Sequence, residues 1–335
     1  MKRLFYTSEK TDNRIFQYFL WFQPSDGWLL IDDETKDVKV FLDGRYLEKA
    51  ILSSDRSIQK IPYTHNFLSQ LGDYLLADEL VMLEKSIPYT IHEKLTSPDR
   101  ERNILFSFEP KPRQNKLRII KTPKQIDTIH AAIDLTEQVR DQILELANTG
   151  ELIWKTELWL RAQMIWMAFE LGAEAEAFDA IVATGANSAI PHHNTSDTII
   201  TEGALLIDMW WKVWGRCSDF TRSLWLWDQI HPEFETILEV TKNAYTKAVS
   251  MLEPGVSLAL VAQAARKVIT DAGYGDFYPH SLGHGVGLDV HEAPRVSGKS
   301  EDTLEAWMVI TIEPGIYLPG KFGVRWEDMI VIEYT

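Results

Sequence analysis

The sequence predicts an α+β protein of two domains, residues 1–115 and 116–335. Three observations support this. Residues 109–116 are polar and hold Pro110 and Pro112, which break any regular element, so the stretch reads as a linker. Beyond it the order helix, helix, strands occurs twice, which suggests a domain of two similar halves without a residue-level repeat. The strands also come in adjacent groups, a pattern that favours antiparallel sheets.

In the first domain, residues 28–31 and 38–42 read as strands around a polar turn at Asp32, Asp33 and Glu34. Asp43, Gly44, Arg45 and Tyr46 read as a second turn, and Leu47 to Ala50 as the opening of a helix. His65 and His92 stand alone, most simply as surface or structural residues. In the second domain, Ile126, Ile129, Ile133, Ile143 and Leu146 mark an amphipathic helix behind Thr122-Pro123, with proline at a tolerated first-turn position. A second helix covers residues 156–171 and stops at Gly172, and residues 178–184 carry strand signals. Helices follow over 232–251 and 257–272, with Ser257 as N-cap and Gly273 as C-cap, before more strand-rich sequence.

Composition narrows the function classes. A chain of 335 residues, 45% hydrophobic and 25% charged, describes an ordinary globular protein. A net charge of −15 argues against a nucleic-acid-binding surface, which needs a basic stripe. No apolar run approaches membrane-spanning length, and the opening residues lack the apolar core of a signal peptide. The single cysteine, Cys217, excludes an internal disulfide. The expected location is the cytoplasm.

The chemistry lies in five acids and imidazoles of the second domain: Asp208, Asp219, His284, Glu313 and Glu327. Asp208 ends the apolar run 204–207, and Asp219 follows a short turn around Gly215. If the two segments pair as a hairpin, both carboxylates share one face. The bland alternative is two exposed hairpin acids. His280, His284 and His291 are spaced by four and by seven and interleaved with Gly283, Gly285 and Gly287. The glycine spacing does not fit a dinucleotide fingerprint, and close approach of backbone to metal ligands is the better reading. Glu313 ends an apolar run at a Pro-Gly turn. Arg325 and Glu327, two apart, share one face of a strand, or else form a surface ion pair of little worth. Four carboxylates and one imidazole gathered without cations would repel one another. Two divalent ions nearly cancel that charge, and the reaction class is then metal-activated attack of water on a polar bond.

Five motifs in this order, over roughly residues 116–333, resemble the pita-bread metallopeptidases of the creatinase, prolidase and methionine aminopeptidase group. The match is to their Xaa-Pro branch, aminopeptidase P and prolidase. The resemblance implies a pita-bread catalytic domain over 116–335 and a smaller, creatinase-like α/β domain over 1–115, the latter mainly through the turn at Asp43–Tyr46. It implies that Asp208 chelates one metal, that Asp219 and Glu327 bridge two, and that His284 and Glu313 complete the second. His192 matches the family histidine near the scissile bond and His291 the one seven residues past the metal histidine, expected to contact substrate, with Glu313 placed to relay a proton. His280 and Arg325 match positions that bind substrate and orient the site. Arg325, His280 and the N-terminal domain favour the prolyl branch over methionine aminopeptidase. Two ions of Mn²⁺, Co²⁺ or Zn²⁺, a proline-containing peptide substrate and a homodimer follow as expectations, without nucleic-acid or membrane partners. The sequence departs from the family pattern over residues 209–214 and at Trp326. Tryptophans 210, 211 and 326, if they face inward, narrow the pocket. The alternative is a pita-bread protein that binds a peptide or protein without cutting it.

Overall fold

The structure, a computed structural model, describes residues 1–8, 13–54, 57–63, 67–84, 87–96, 104–108, 114–227 and 229–333. The chain separates into two compact units, Met1–Gln114 and Asn115–Thr335. Of the polar stretch 109–116, residues 109–113 lie outside the described residues. Gln114 to Lys116 open the short helix Gln114–Ile119, which contains no proline.

The first unit is a mixed six-stranded sheet in the order Gln59–Pro62, Val38–Leu42, Asp26–Asp32, Lys2–Ser8, Leu80–Leu83, Leu105–Phe108. The strands Asp26–Asp32 and Val38–Leu42 pair antiparallel about the polar turn. The stretch expected as a second turn is instead the start of the helix Gly44–Ser53. Asp43 is its N-cap, and its carboxylate accepts the Arg45 N–H at 2.9 Å, satisfying a first-turn donor. His92 stacks on Phe108 with ring centroids 4.7 Å apart; His65 lies outside the described residues.

In the second unit, two helices and an antiparallel sheet occur twice. The helix Pro123–Asn148 begins at a capping box in which Thr122 and Gln125 bond each other's backbone N–H. With Glu157–Glu170 it buries Ala132, Val139, Leu160 and Met164 against Val182, Leu205 and Ile207. Those three lie in the sheet Phe220–Leu226, Gly203–Met209, Ile181–Thr184. The helices Pro232–Val249 and Leu258–Asp271 pack Phe234, Ile237, Val261 and Ala265 against Val296, Ile310 and Ile312. Their sheet runs Glu292–Val296, Gly283–Gly285, Val309–Ile312, Asp328–Val331. Ser257 occupies the N-cap position, but its hydroxyl makes no cap bond; the backbone there bridges to Thr303. Ile181, Leu206, Val286, Val309 and Met329 form a buried cluster that joins the two sheets. The ends of those strands meet where the candidate site lies.

Candidate metal centre

Asp208 and Asp219 are placed by a bent hairpin. The strands Gly203–Met209 and Phe220–Leu226 pair antiparallel with Thr221 opposite Asp208. Beyond them the arms continue as Trp211–Val213 and Arg216–Cys217 in a separate sheet. The tip turns through Trp214 at φ 46° and Gly215 at φ 72°, both positive, as a tight hairpin turn requires. Alternation along the strand sets Asp219 on the same side as Thr221 and therefore as Asp208. Both acids are buried, and Oδ1 of each has no hydrogen-bond partner.

The other ligand-type residues arrive from the second half. Glu327 bridges to Thr221, whose hydroxyl donates to Glu327 Oε2 at 2.5 Å. Glu313 follows the strand Val309–Ile312, with its N–H donating to the Leu282 carbonyl at 2.8 Å. His284 Nδ1 donates to the Gly285 carbonyl at 3.1 Å, so the Nε2 lone pair points inward. There it lies 3.5 Å from Asp219 Oδ2 and 3.5 Å from Glu313 Oε1. One ligand atom from each of Asp219, His284 and Glu327 falls within 4.8 Å of the others. All five residues, together with His192, His280, His291 and Arg325, line one cavity of about 480 Å³.

Charge explains what this arrangement requires. Arg325 is the one permanent cation among those nine side chains, and it pairs with Asp208. Burial, then repulsion from Glu327, Asp208 and Glu313, pushes Asp219 well above the carboxylate range. Burial, then Glu327, does the same to Glu313, and burial with Asp208 carries Glu327 to about 8. Burial raises Asp208 too, although Arg325 opposes it. An imidazole lone pair aimed at two carboxylate oxygens, beside orphaned buried oxygens, fits divalent cations between them. The described residues therefore form a group suited to holding a divalent metal.

A pH dependence follows. In chelator-treated protein Glu327 titrates near 8 instead of 4.5. Its contribution to stability is thus full below about pH 4.5 and lost as pH rises through 8; Asp219 and Glu313 act in the same direction. Burial pushes His280 to about 3 and His284 to about 4, so their contribution is present above 6.5 and lost only at lower pH. Between pH 6.5 and 8 the carboxylates dominate. Chelated protein is expected to melt several degrees lower at pH 8 than at pH 6.5, and Mn²⁺ to raise the midpoint more at pH 8. Thermal midpoints at both pH values check this, and an equal metal effect at the two would refute it.

Neighbouring residues fix the wall of the cavity. Arg325 donates to Tyr317 Oη at 2.9 Å, to Thr221 Oγ1 at 3.0 Å and to the Pro191 carbonyl at 3.1 Å. The Tyr317 hydroxyl in turn donates to His280 Nε2 at 3.0 Å, while His280 Nδ1 donates to the Ser281 carbonyl at 2.8 Å. His280 is thus held neutral. His291 sits edge-on to His284, ring centroids 4.4 Å apart, on a loop next to Glu292, whose side chain is buried. Glu292 is gripped by Arg118 and by Lys121 at 3.0 Å, and Arg118 also holds Asp289 at 2.7 Å. Sequence reasoning missed Tyr317, Arg118, Lys121 and Glu292. Only the last carried a local signal, its place beside His291.

Three sequence readings are corrected by this geometry. Arg325 does not pair with Glu327 on the surface; both are buried, and the strand Phe322–Arg325 ends between them. The glycines make room for neighbouring chain rather than for ligands. A Cβ at Gly283 would lie 2.0 Å from the Thr311 carbonyl oxygen, and one at Gly285 2.2 Å from that of Ala293. A Cβ at Gly287 would lie 2.4 Å from the Glu292 carboxylate. Of the three tryptophans, only Trp210 lines the cavity, edge-on to Phe178 at 5.2 Å. Trp211 is fully buried in the helix-packed core, and Trp326 lies between Arg222 and Lys242, 4.0 and 4.3 Å from its ring. Alternation explains this, since Trp210 shares a face with Asp208 and Trp211 takes the other.

Comparison with known proteins gives a consistent picture. Residues 127–334 match the model of metallopeptidase family M24. The chain is 38% identical over 307 residues to the Xaa-Pro dipeptidase of Pyrococcus horikoshii, covering 91% of this chain and 84% of that protein. Among solved structures, the prolidase from Pyrococcus furiosus superposes with a TM-score of 0.82 at 29% identity, over 100% of this chain and 94% of that one. The X-Pro aminopeptidase from Thermotoga maritima gives 0.86 at 28% identity, over 99% and 93%.

Proposed function

The chain belongs to metallopeptidase family M24, and on that premise we propose that it is an Xaa-Pro peptidase that hydrolyses the bond preceding proline in short peptides. The observation that carries this reading is the convergence of Asp208, Asp219, His284, Glu313 and Glu327 in one cavity with too few protein cations to balance them. Asp208 and Asp219 would hold one ion, and His284 and Glu313 the second, with Asp219 and Glu327 shared. Mn²⁺, Co²⁺ and Zn²⁺ all suit four carboxylates and one imidazole. When bound, such ions supply an activated water and Lewis acidity at the scissile carbonyl.

The chain's own residues do the rest. His192 and His291 line the cavity and stand exposed, where they meet substrate. Partial loss of solvent around the His291 ring, which stays open on one side, and then His192 lower its pKa, which keeps it neutral near pH 7 and able to donate or accept. In this reading His192 donates to the developing oxyanion, His291 contacts the substrate, and Glu313 moves the proton to the leaving nitrogen. Arg325 and His280, locked through Tyr317, form a rigid wall that orients the peptide. Trp210 and Phe178 present an aromatic surface of the kind a pyrrolidine ring packs on. Proline lacks an amide N–H, so a site with no acceptor there loses nothing by binding it. Relatives named as dipeptidases and as aminopeptidases both match, so substrates of two and of three or more residues belong in the test. Among the described residues no helix is long and apolar enough to cross a membrane. A homodimer in the cytoplasm completes the proposal.

The test is a paired assay of Ala-Pro and Ala-Ala peptides of two to five residues, with added Mn²⁺, Co²⁺ or Zn²⁺. The prolyl series is expected to be cleaved at least about 10²-fold faster. Equal rates, or release of N-terminal methionine alone, would overturn the assignment. Purified protein that takes up no divalent ion would favour a binding module.

A further inference from the structure

Glu157 opens the helix Glu157–Glu170 and is completely buried. A carboxylate there is costly unless donors surround it, and five do. Oε1 accepts from the Thr184 N–H at 2.8 Å and from Asn187 Nδ2 at 2.9 Å. Oε2 accepts from His193 Nε2 at 2.8 Å, from Ser196 Oγ at 2.8 Å and from the Ser196 N–H at 3.0 Å. Burial pushes the carboxyl up, but the donors from Asn187, Thr184, His193 and Ser196 outweigh it and hold the group ionised.

All five donors lie on residues 184–196, the segment that carries His192. On its other side, the same segment is tied to the cavity wall: the Pro191 carbonyl accepts from Arg325, and Ser188 Oγ accepts the Gly323 N–H at 2.9 Å. His192 is therefore bracketed, with its preceding residue held by Arg325 and its following residue held by Glu157. His192 itself is exposed, so nothing in its own burial would fix it.

We propose that Glu157 and His193 are positioning residues, which act through the backbone of residues 191–193 to aim His192 at the substrate. The proposal rests on the reading that His192 acts in the reaction. A misplacement of about 1 Å can cost on the order of 10²-fold in rate.

Steady-state kinetics on Ala-Pro substrate with a fixed metal, together with metal content, test it on His192→Ala, His193→Ala, His193→Gln, Glu157→Gln and the double variant His192→Ala/His193→Ala. His193→Ala is expected to lower kcat by about 10- to 100-fold with KM and metal content little changed. His193→Gln, which keeps a donor for Glu157, should recover most of that loss. The double variant should be no slower than His192→Ala alone, because a residue that is absent cannot be mispositioned. Glu157→Gln sets an amide N–H against donors on one oxygen or the other and should follow His193→Ala; if it does not fold, the His193 variants still decide. Multiplying losses in the double variant, full kcat in His193→Ala, or loss of metal from it would overturn the proposal alone. Full kcat in His192→Ala would instead sink the reading of His192 on which it rests.

Discussion

Replacing Glu327 by Gln, or Asp219 by Asn, is expected to remove bound metal and to lower turnover by more than about 10³-fold, at or beyond the scale of a lost oxyanion donor. Each side chain contributes an atom to the group within 4.8 Å, and each would serve both ions, so one substitution weakens two sites at once. The amide is nearly the same shape as the protonated acid. With Glu327 raised to about 8 in the absence of metal, Gln mimics the form that the chelated protein already holds at neutral pH. The fold should therefore survive. Near pH 7 chelated Glu327→Gln should melt close to chelated wild type, because a neutral amide replaces a carboxyl that is already neutral there, while the metal-induced rise in midpoint disappears. Metal analysis, kinetics and melting of the same preparations separate ligation from folding. Near wild-type turnover with full metal content would remove Glu327 from the site.

How far the sequence could carry these expectations depended on the range of the interaction. The helices were legible because caps are local: Thr122 and Gln125 are three residues apart, and Gly172 and Gly273 turn the chain at φ 101° and 87°. The acids could be picked out because a carboxylate in or beside apolar strand sequence is costly without a partner, and His284 because three histidines cluster at spacings of four and seven. What the sequence hid was the identity of that partner. Arg325 stands two residues from Glu327, yet its ion pair is with Asp208, 117 positions away. Glu292 looked like the neighbour of a histidine, whereas its grip comes from Arg118 and Lys121, 174 and 171 positions back. Glu157 carries no sequence signal beyond its place at the start of a helix. Its donors, 27 to 39 residues on, become visible only when the segment around His192 folds back. The hairpin 208–219 pairs at its base as the strand pattern suggests, but the arms change sheet beyond Met209.

His192→Ala and His291→Ala are each expected to lower kcat by about 10²–10⁴-fold while leaving metal content nearly unchanged. The geometry separates these two imidazoles from His284. His284 points its lone pair at Asp219 and Glu313, 3.5 Å from each, where a cation belongs. His291 meets His284 edge-on and lies outside the tight group of Asp219, His284 and Glu327, although it lines the same cavity. His192 lines the cavity on a loop from the other sheet. Both are solvent-exposed, and an exposed imidazole can turn towards a substrate in a way that a buried ligand cannot. For His291 the aim is set by Glu292, whose carboxylate is fixed by Lys121 at 3.0 Å, so alanine at 291 leaves that anchor and the loop intact. The loss should therefore fall on kcat and not on folding or metal uptake. Kinetics and metal analysis of the two variants decide it, and metal lost from His291→Ala would make His291 a ligand in place of the substrate-facing role assigned to it.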